Sequence, residues 1–280
     1  MKPIFTIALA LMIGAAVPLS AQWPKFATPG PKTADGKVDL RGPTPRTADG
    51  KPDLSGVWET IQGGRRGRGP APVAAEGTGE LPPSGSVFGN IGDQQPDRTA
   101  PYQTWAADLV KKRQADNSKD NPDAHCLPMG VMQMTSHPYP KKIIQTPSEV
   151  ILIYEGSGTT VREVFLDGRM PAKDAEPWWN GYSTGRWDGD TLVVETVGFM
   201  DDGWLDVRGS PLTSAGKLTE RFRRPNYGSL VIEVTVDDPK AYTKPFTATV
   251  NNRLLPDTQL IEFVCLDKSA QHYVGADGKK

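Results

Sequence analysis

The chain has 280 residues, with 32 Lys and Arg against 33 Asp and Glu, and a formal net charge of -1 with both signs interspersed. That balance excludes a basic field able to gather nucleic acid or acidic lipid, so neither is expected as a partner. Beyond the N-terminal segment no apolar run approaches the ~20 residues of a membrane-spanning helix, and no integral membrane span is expected.

In chain order, residues 1–21 read as a signal peptide. Lys2 precedes an apolar stretch from Ile4 to Leu19, and small residues mark a cut after Ala21. The mature protein is therefore expected to be exported, periplasmic or secreted. Residues 22–53 form an extended Pro/Gly-rich arm with an internal echo, in which TADGKVDLRG (Thr33 to Gly42) returns as TADGKPDLSG (Thr47 to Gly56). Two copies are too few to stack as a solenoid. From residue 54 to 274 a single domain is expected, followed by a tail at 275–280.

Within that domain Leu54 to Ile61 is the first strand. Gln62 to Ala100 has almost no apolar periodicity and reads as a flexible insertion, with a basic knot at Arg65, Arg66 and Arg68. Pro101 to Asn117 reads as a helix that sets Tyr102, Trp105, Ala106, Leu109 and Val110 on one face. The following stretch holds His125, Cys126, Met129, Met132, Met134 and His137. These are ligands that soft Cu(I) accepts, but the same methionines are ordinary core fillers, and no metal or cofactor is assigned. Cys126 and Cys265, in a chain bound for an oxidising compartment, are either a disulfide or two buried thiols.

From there strands are expected at Lys142 to Thr146, Val150 to Glu155, Thr160 to Leu166, Tyr182 to Trp187, Thr191 to Val197, Lys217 to Arg223, Leu230 to Val236, Phe246 to Arg253 and Gln259 to Cys265. Turn residues such as Asp188-Gly189 and Asn226-Tyr227-Gly228 separate them. Short strands with mostly local links point to a mostly β fold, an antiparallel up-and-down barrel with one helix and the long N-terminal arm.

Charges inside apolar strands are the candidate chemistry. Glu233 alternates with Leu230, Ile232, Val234 and Val236 and faces solvent, whereas Glu220 shares a face with Leu218 and Phe222 and points inward. A buried carboxylate needs a partner, and Arg162, beside Val164 and Leu166, is the candidate. A cluster of aromatics at Trp178, Trp179, Tyr182, Trp187 and Trp204 is either core or a rim that stacks on a ring or sugar. The sequence contains no nucleophile elbow, zinc-protease pair, phosphate loop or dinucleotide fingerprint.

The motifs PRTADGKPDLSGVW (Pro45 to Trp58), GYSTGRWDGDTLVVETVGF (Gly181 to Phe199), LTERFRR (Leu218 to Arg224) and LIEFVC (Leu260 to Cys265) together resemble a family of uncharacterised secreted bacterial proteins. Where that family often reads Gly-His-Pro-His-Ser, this chain has Gly209-Ser210-Pro211-Leu212-Thr213. The strand pattern is also similar to the calycin superfamily of lipocalins and fatty-acid-binding proteins, with Gly56-Val57-Trp58 in place of the Gly-x-Trp of the first lipocalin strand. This resemblance implies a cup that holds a small, partly apolar ligand.

The expected function is thus binding of a small molecule by an exported barrel. The expected ligand-binding residues are Trp58, Tyr154, Arg162, Trp187, Glu195, Glu220, Arg223 and Glu262. Two alternatives stand beside it: an enzyme acting on a small molecule or carbohydrate through Glu195, Glu220 or Glu262, and an envelope interaction protein that docks through its arm.

Overall fold

A computed structural model describes residues 29–62, 81, 87–156, 160–263 and 265. The expected signal peptide at 1–21, the Arg65 to Arg68 knot, His272 and the expected tail at 275–280 lie outside the described residues.

Alternation of apolar and polar residues over the second half of the chain closes a nine-stranded barrel. Its strands are β1 (Gly56–Thr60), β2 (Lys141–Gln145), β3 (Glu149–Tyr154), β4 (Val161–Phe165), β5 (Tyr182–Asp188), β6 (Thr191–Val197), β9 (Lys217–Asn226), β10 (Ser229–Asp237) and β11 (Phe246–Leu254). A two-stranded ribbon, β7 (Gly203–Trp204) and β8 (Pro211–Leu212), interrupts the run between β6 and β9. Around the barrel the order is β1-β11-β10-β9-β6-β5-β4-β3-β2, and β1 closes the ring by pairing with both β11 and β2. Among the described residues, the expected strand from Gln259 to Cys265 does not form. With β1 already between β11 and β2, the ring offers no free edge, and residues 259–263 run as coil.

The barrel is not antiparallel throughout. β4 and β5 run parallel and pair only at Val164 with Ser183 and Phe165 with Thr184. The link between Phe165 and Tyr182 is longer than the dozen or so residues a parallel connection needs, whereas a hairpin needs about two. Gly181, at φ 63, makes the sharp entry into β5 where a Cβ would strike the Phe199 ring and the Val197 carbonyl.

Inward-facing residues fill the lumen. Trp58, Leu152, Val164, Val194, Leu218, Phe222, Ile232, Val234 and Val250 have almost no accessible surface, so no solvent-sized void lies beside them. A short helix, α2 (Val131–Ser136), is buried on every side, and its Thr135 carbonyl accepts from Thr60 Oγ1 of β1 at 3.3 Å. The expected helix is α1 (Thr104–Ala115). Ala106 and Val110 are buried, but Trp105 is 46 % exposed and donates its indole N–H to the Lys240 carbonyl.

The arm, expected to be extended, and the insertion, expected to be flexible, are both docked where they are described. In the arm each TADG copy folds into the same loop. Thr33 N–H donates to the Lys37 carbonyl and Gly36 N–H to Thr33, and Thr47 with Lys51 and Gly50 with Thr47 repeat this pattern, every bond being 2.9 Å. Between the loops Tyr227 N–H and Gly228 N–H donate to Gly42 and Leu40, and Arg224 donates to the Asp53 carbonyl while its guanidinium sits 4.9 Å from the Trp58 ring centroid. In the insertion, Val87, Ile91 and Ala100 belong to the core, and Gln94 bonds both the N–H and the carbonyl of Thr249 on β11. Its described stretch, residues 87–100, lacks periodicity because it packs around a one-turn 3-10 helix, Ile91–Gln94, rather than as a long regular element.

Candidate functional site

Polar side chains cross the apolar lumen in a continuous band. On β4, Arg162 donates Nη1 to Glu220 Oε1 at 3.1 Å and Nη2 to Glu220 Oε2, Nη2 also to Thr196 at 2.8 Å, and Nε to Ser183 at 3.0 Å. Burial opposes the Arg162 charge, but the Glu220 carboxylate outweighs it and leaves its pKa raised, so the guanidinium stays ionised. Both side chains are sealed from solvent, and every donor on the guanidinium's working edge is satisfied.

At the other end of the band stands Lys141, wholly buried on β2. It lies directly opposite Trp58 on β1 and Tyr154 on β3. Its Nζ donates to Thr60 Oγ1 at 2.8 Å and to Asn252 Oδ1 at 2.6 Å. Among the described residues no carboxylate lies within ion-pair reach, and burial pulls its pKa down to about 7. Tyr154 joins the two ends: burial raises its phenol, and Arg162 and Thr135 lie close enough to its Oη to offset that in part, without a well-made hydrogen bond.

The surface of the barrel is indented at the seam between β4 and β5. Because these strands pair over two residues, a cleft of about 420 Å³ opens beside them. Its lining includes Val161, Phe165, Trp178, Asn180 and Tyr182, together with Arg162 and Ser183 of the buried band. Tyr182 sits between Phe165 and Trp178, with ring centroids 5.3 and 5.5 Å away. Trp178 is fixed through its backbone, its N–H donating to Gly198 and its carbonyl accepting from Met200. Asn180 Oδ1 is buried with no hydrogen-bond donor.

The chain matches no protein-family model, no curated protein and no solved structure.

Of the expected site residues, Arg162 and Glu220 meet in the band, and Trp58 and Tyr154 flank Lys141. Trp187 packs at the edge of the core with Lys51 Nζ 6.0 Å over its ring, away from the seam. Glu195 and Arg223 face outward, where they pair with Arg186 and Glu233. Glu262 is exposed in the coil after β11. These last three sit where strand alternation or the absence of a strand turns them to solvent, so they do not share a site with Arg162. Cys126 and Cys265 form a disulfide, with Cα atoms 5.6 Å apart, that ties the turn before α2 to the coil after β11. With Cys126 so engaged and Met129, Met132 and Met134 in the core, the soft-ligand loop is a packing element. Lys141 and Asn180 escaped the sequence reading. Lys141 is one of two adjacent lysines at a strand end, and Asn180 lies in a link with no regular pattern.

Proposed function

We propose that this protein binds a small, partly apolar molecule at the β4/β5 seam, with a ring of the ligand against Tyr182 and Trp178 and a ligand N–H or O–H donated to Asn180 Oδ1. The single observation that carries this reading is the pairing of an aromatic wall with a buried carbonyl oxygen that lacks a donor. Buried acceptors are nearly always satisfied, and Asn180, half-buried and lining the cleft, can turn its amide to meet a ligand donor there. The packed lumen supports the same placement. A cup of calycin type would hold its ligand inside, but here side chains and α2 occupy that space, and the Arg162–Glu220 pair serves as a rigid floor behind the cleft.

The reading is tested by thermal shift with phenol, indole and toluene. Phenol and indole, which carry a donor on the ring, raise the melting temperature of the wild type, and toluene does so far less. Tyr182→Ala and Asn180→Leu each remove the shift. Equal shifts for toluene and phenol, or shifts that survive both substitutions, would overturn the assignment of the cleft.

A further inference from the structure

A lysine sealed inside a barrel is expensive unless it is paired, and Lys141 is paired only with neutral oxygens. The charged groups around it do not remedy this. Glu59, next to Trp58 on β1, favours the ammonium less than burial disfavours it and is itself bonded to Arg253, and the Glu220 carboxylate is fully engaged by Arg162. His137, between α2 and β2, is held neutral by burial and by Lys141, its pKa lowered to about 4. The amine therefore has no counter-ion from any packed element among the described residues.

The helix that covers this amine is poorly matched to the place it occupies. α2 has six residues and no side-chain cap at its start. One of its polar atoms, Gln133 Oε1, is buried without a partner, and Thr135 Oγ1 lies close to Tyr154 Oη without forming a well-made hydrogen bond to it. Each such atom costs about 1–3 kcal/mol relative to a satisfied one. Water would satisfy the two α2 atoms if the helix moved outward, which offsets part of the cost of exposing its core residues Val131, Met132 and Met134. Inside, the opened chamber would present a primary amine, the Tyr154 phenol directly across the β2–β3 pair, and the Trp58 ring on the other side.

We propose that Lys141 is a covalent binding site for a small carbonyl compound, which enters the lumen when α2 withdraws. The unprotonated Nζ adds to the carbonyl carbon, and the carbonyl oxygen takes a proton to give a carbinolamine. Loss of that hydroxyl as water leaves an imine, with no net oxidation or reduction. The Tyr154 hydroxyl, the nearest acid on the facing strand, supplies the proton and recovers it from the amine nitrogen. Burial keeps a large fraction of this amine unprotonated at neutral pH, whereas an ordinary lysine is almost wholly charged; the advantage in free amine is roughly a thousand-fold.

The test is reductive trapping with propanal and sodium cyanoborohydride on the folded full-length protein at neutral pH, followed by peptide mapping of every lysine. Lys142, the next residue on β2, faces outward and is the internal standard. The expected result is labelling of Lys141 at least about tenfold faster than Lys142, the free-amine advantage reduced by the fraction of time α2 is open. A second variant, Gln133→Ala, removes the bonds from Gln133 to the Met129 and Trp204 carbonyls, and labelling of Lys141 rises further. Lys141 left unlabelled, or trailing Lys142, in both folded proteins overturns the proposal and makes the lysine a structural one. If Gln133→Ala does not fold, the wild-type ratio decides alone.

Discussion

Replacing Lys141 by Met changes how stability depends on pH, and the structure sets the size of that change. The wild-type amine has a pKa of about 7 when folded, against about 10.4 in an unfolded chain. Its folded pKa is depressed, so between these values the unfolded chain holds a proton that the folded protein does not. Stability therefore rises with pH across that window. Below pH 7 both states are protonated and the dependence vanishes, with the full penalty of burying the ammonium in force. Linkage across the interval from pH 7 to 9 gives a gain of roughly 2 kcal/mol for the wild type. Above that interval the buried phenols of Tyr102, Tyr154 and Tyr242, all raised chiefly by burial, work in the opposite sense, because the unfolded chain loses those protons first. Denaturant unfolding at several pH values within the interval reads the effect directly. Lys141→Met should remove this rise, and its advantage over wild type should be greatest at pH 7 and shrink toward pH 9. Parallel curves for the two proteins would refute the reasoning, since they would mean that the amine titrates normally and is not desolvated.

Further outcomes follow from other contacts. Arg162→Met leaves Glu220 buried and unpaired and should cost about 3–5 kcal/mol, while the double variant Arg162→Met/Glu220→Leu should recover much of that loss in denaturant unfolding. Reducing the Cys126–Cys265 bond, or replacing both by Ser, opens a loop spanning 139 positions and should cost about 5 kcal/mol in the chain-entropy picture, measured by the same unfolding assay. Arg224→Ala removes the bonds to the Asp53 and Tyr227 carbonyls and the contact with Trp58, and should expose residues 29–53 to limited proteolysis while the barrel stays intact. An arm as resistant as in wild type would show that the loops dock without that guanidinium.

Much of the barrel was legible because alternation is a strong local signal. Leu218, Glu220 and Phe222 on one face of β9 showed that a carboxylate points inward, and the need to pair it selected Arg162, which the structure places against it. The parallel seam was not read, although the long link between Phe165 and Tyr182 carried the signal. Such a link is too long for a hairpin, and its length should have argued for a crossover. α2 was missed for a different reason. A helix buried on all sides has no polar face, so VMQMTS shows no helical period and reads instead as a methionine-rich loop. Lys141 could not be found from sequence, because which of two neighbouring lysines faces inward depends on the register of β2 with β1, set by the pairing of Trp58 with Lys141. The repeated TADG segment was visible as an echo. That it encodes one loop twice follows from its turn chemistry: in each copy Thr bonds the Asp two residues on, and the next residue is Gly at positive φ.

Native mass spectrometry of the purified protein, before and after equilibration with phenol, tests the ligand site at the seam most directly when wild type and Trp178→Ala are compared. A ring compound with a hydrogen-bond donor, either co-purified or the added phenol, should be carried by wild type and absent from the variant. Equal occupancy in the two proteins, or a wild type that neither carries nor takes up such a compound, would contradict the account.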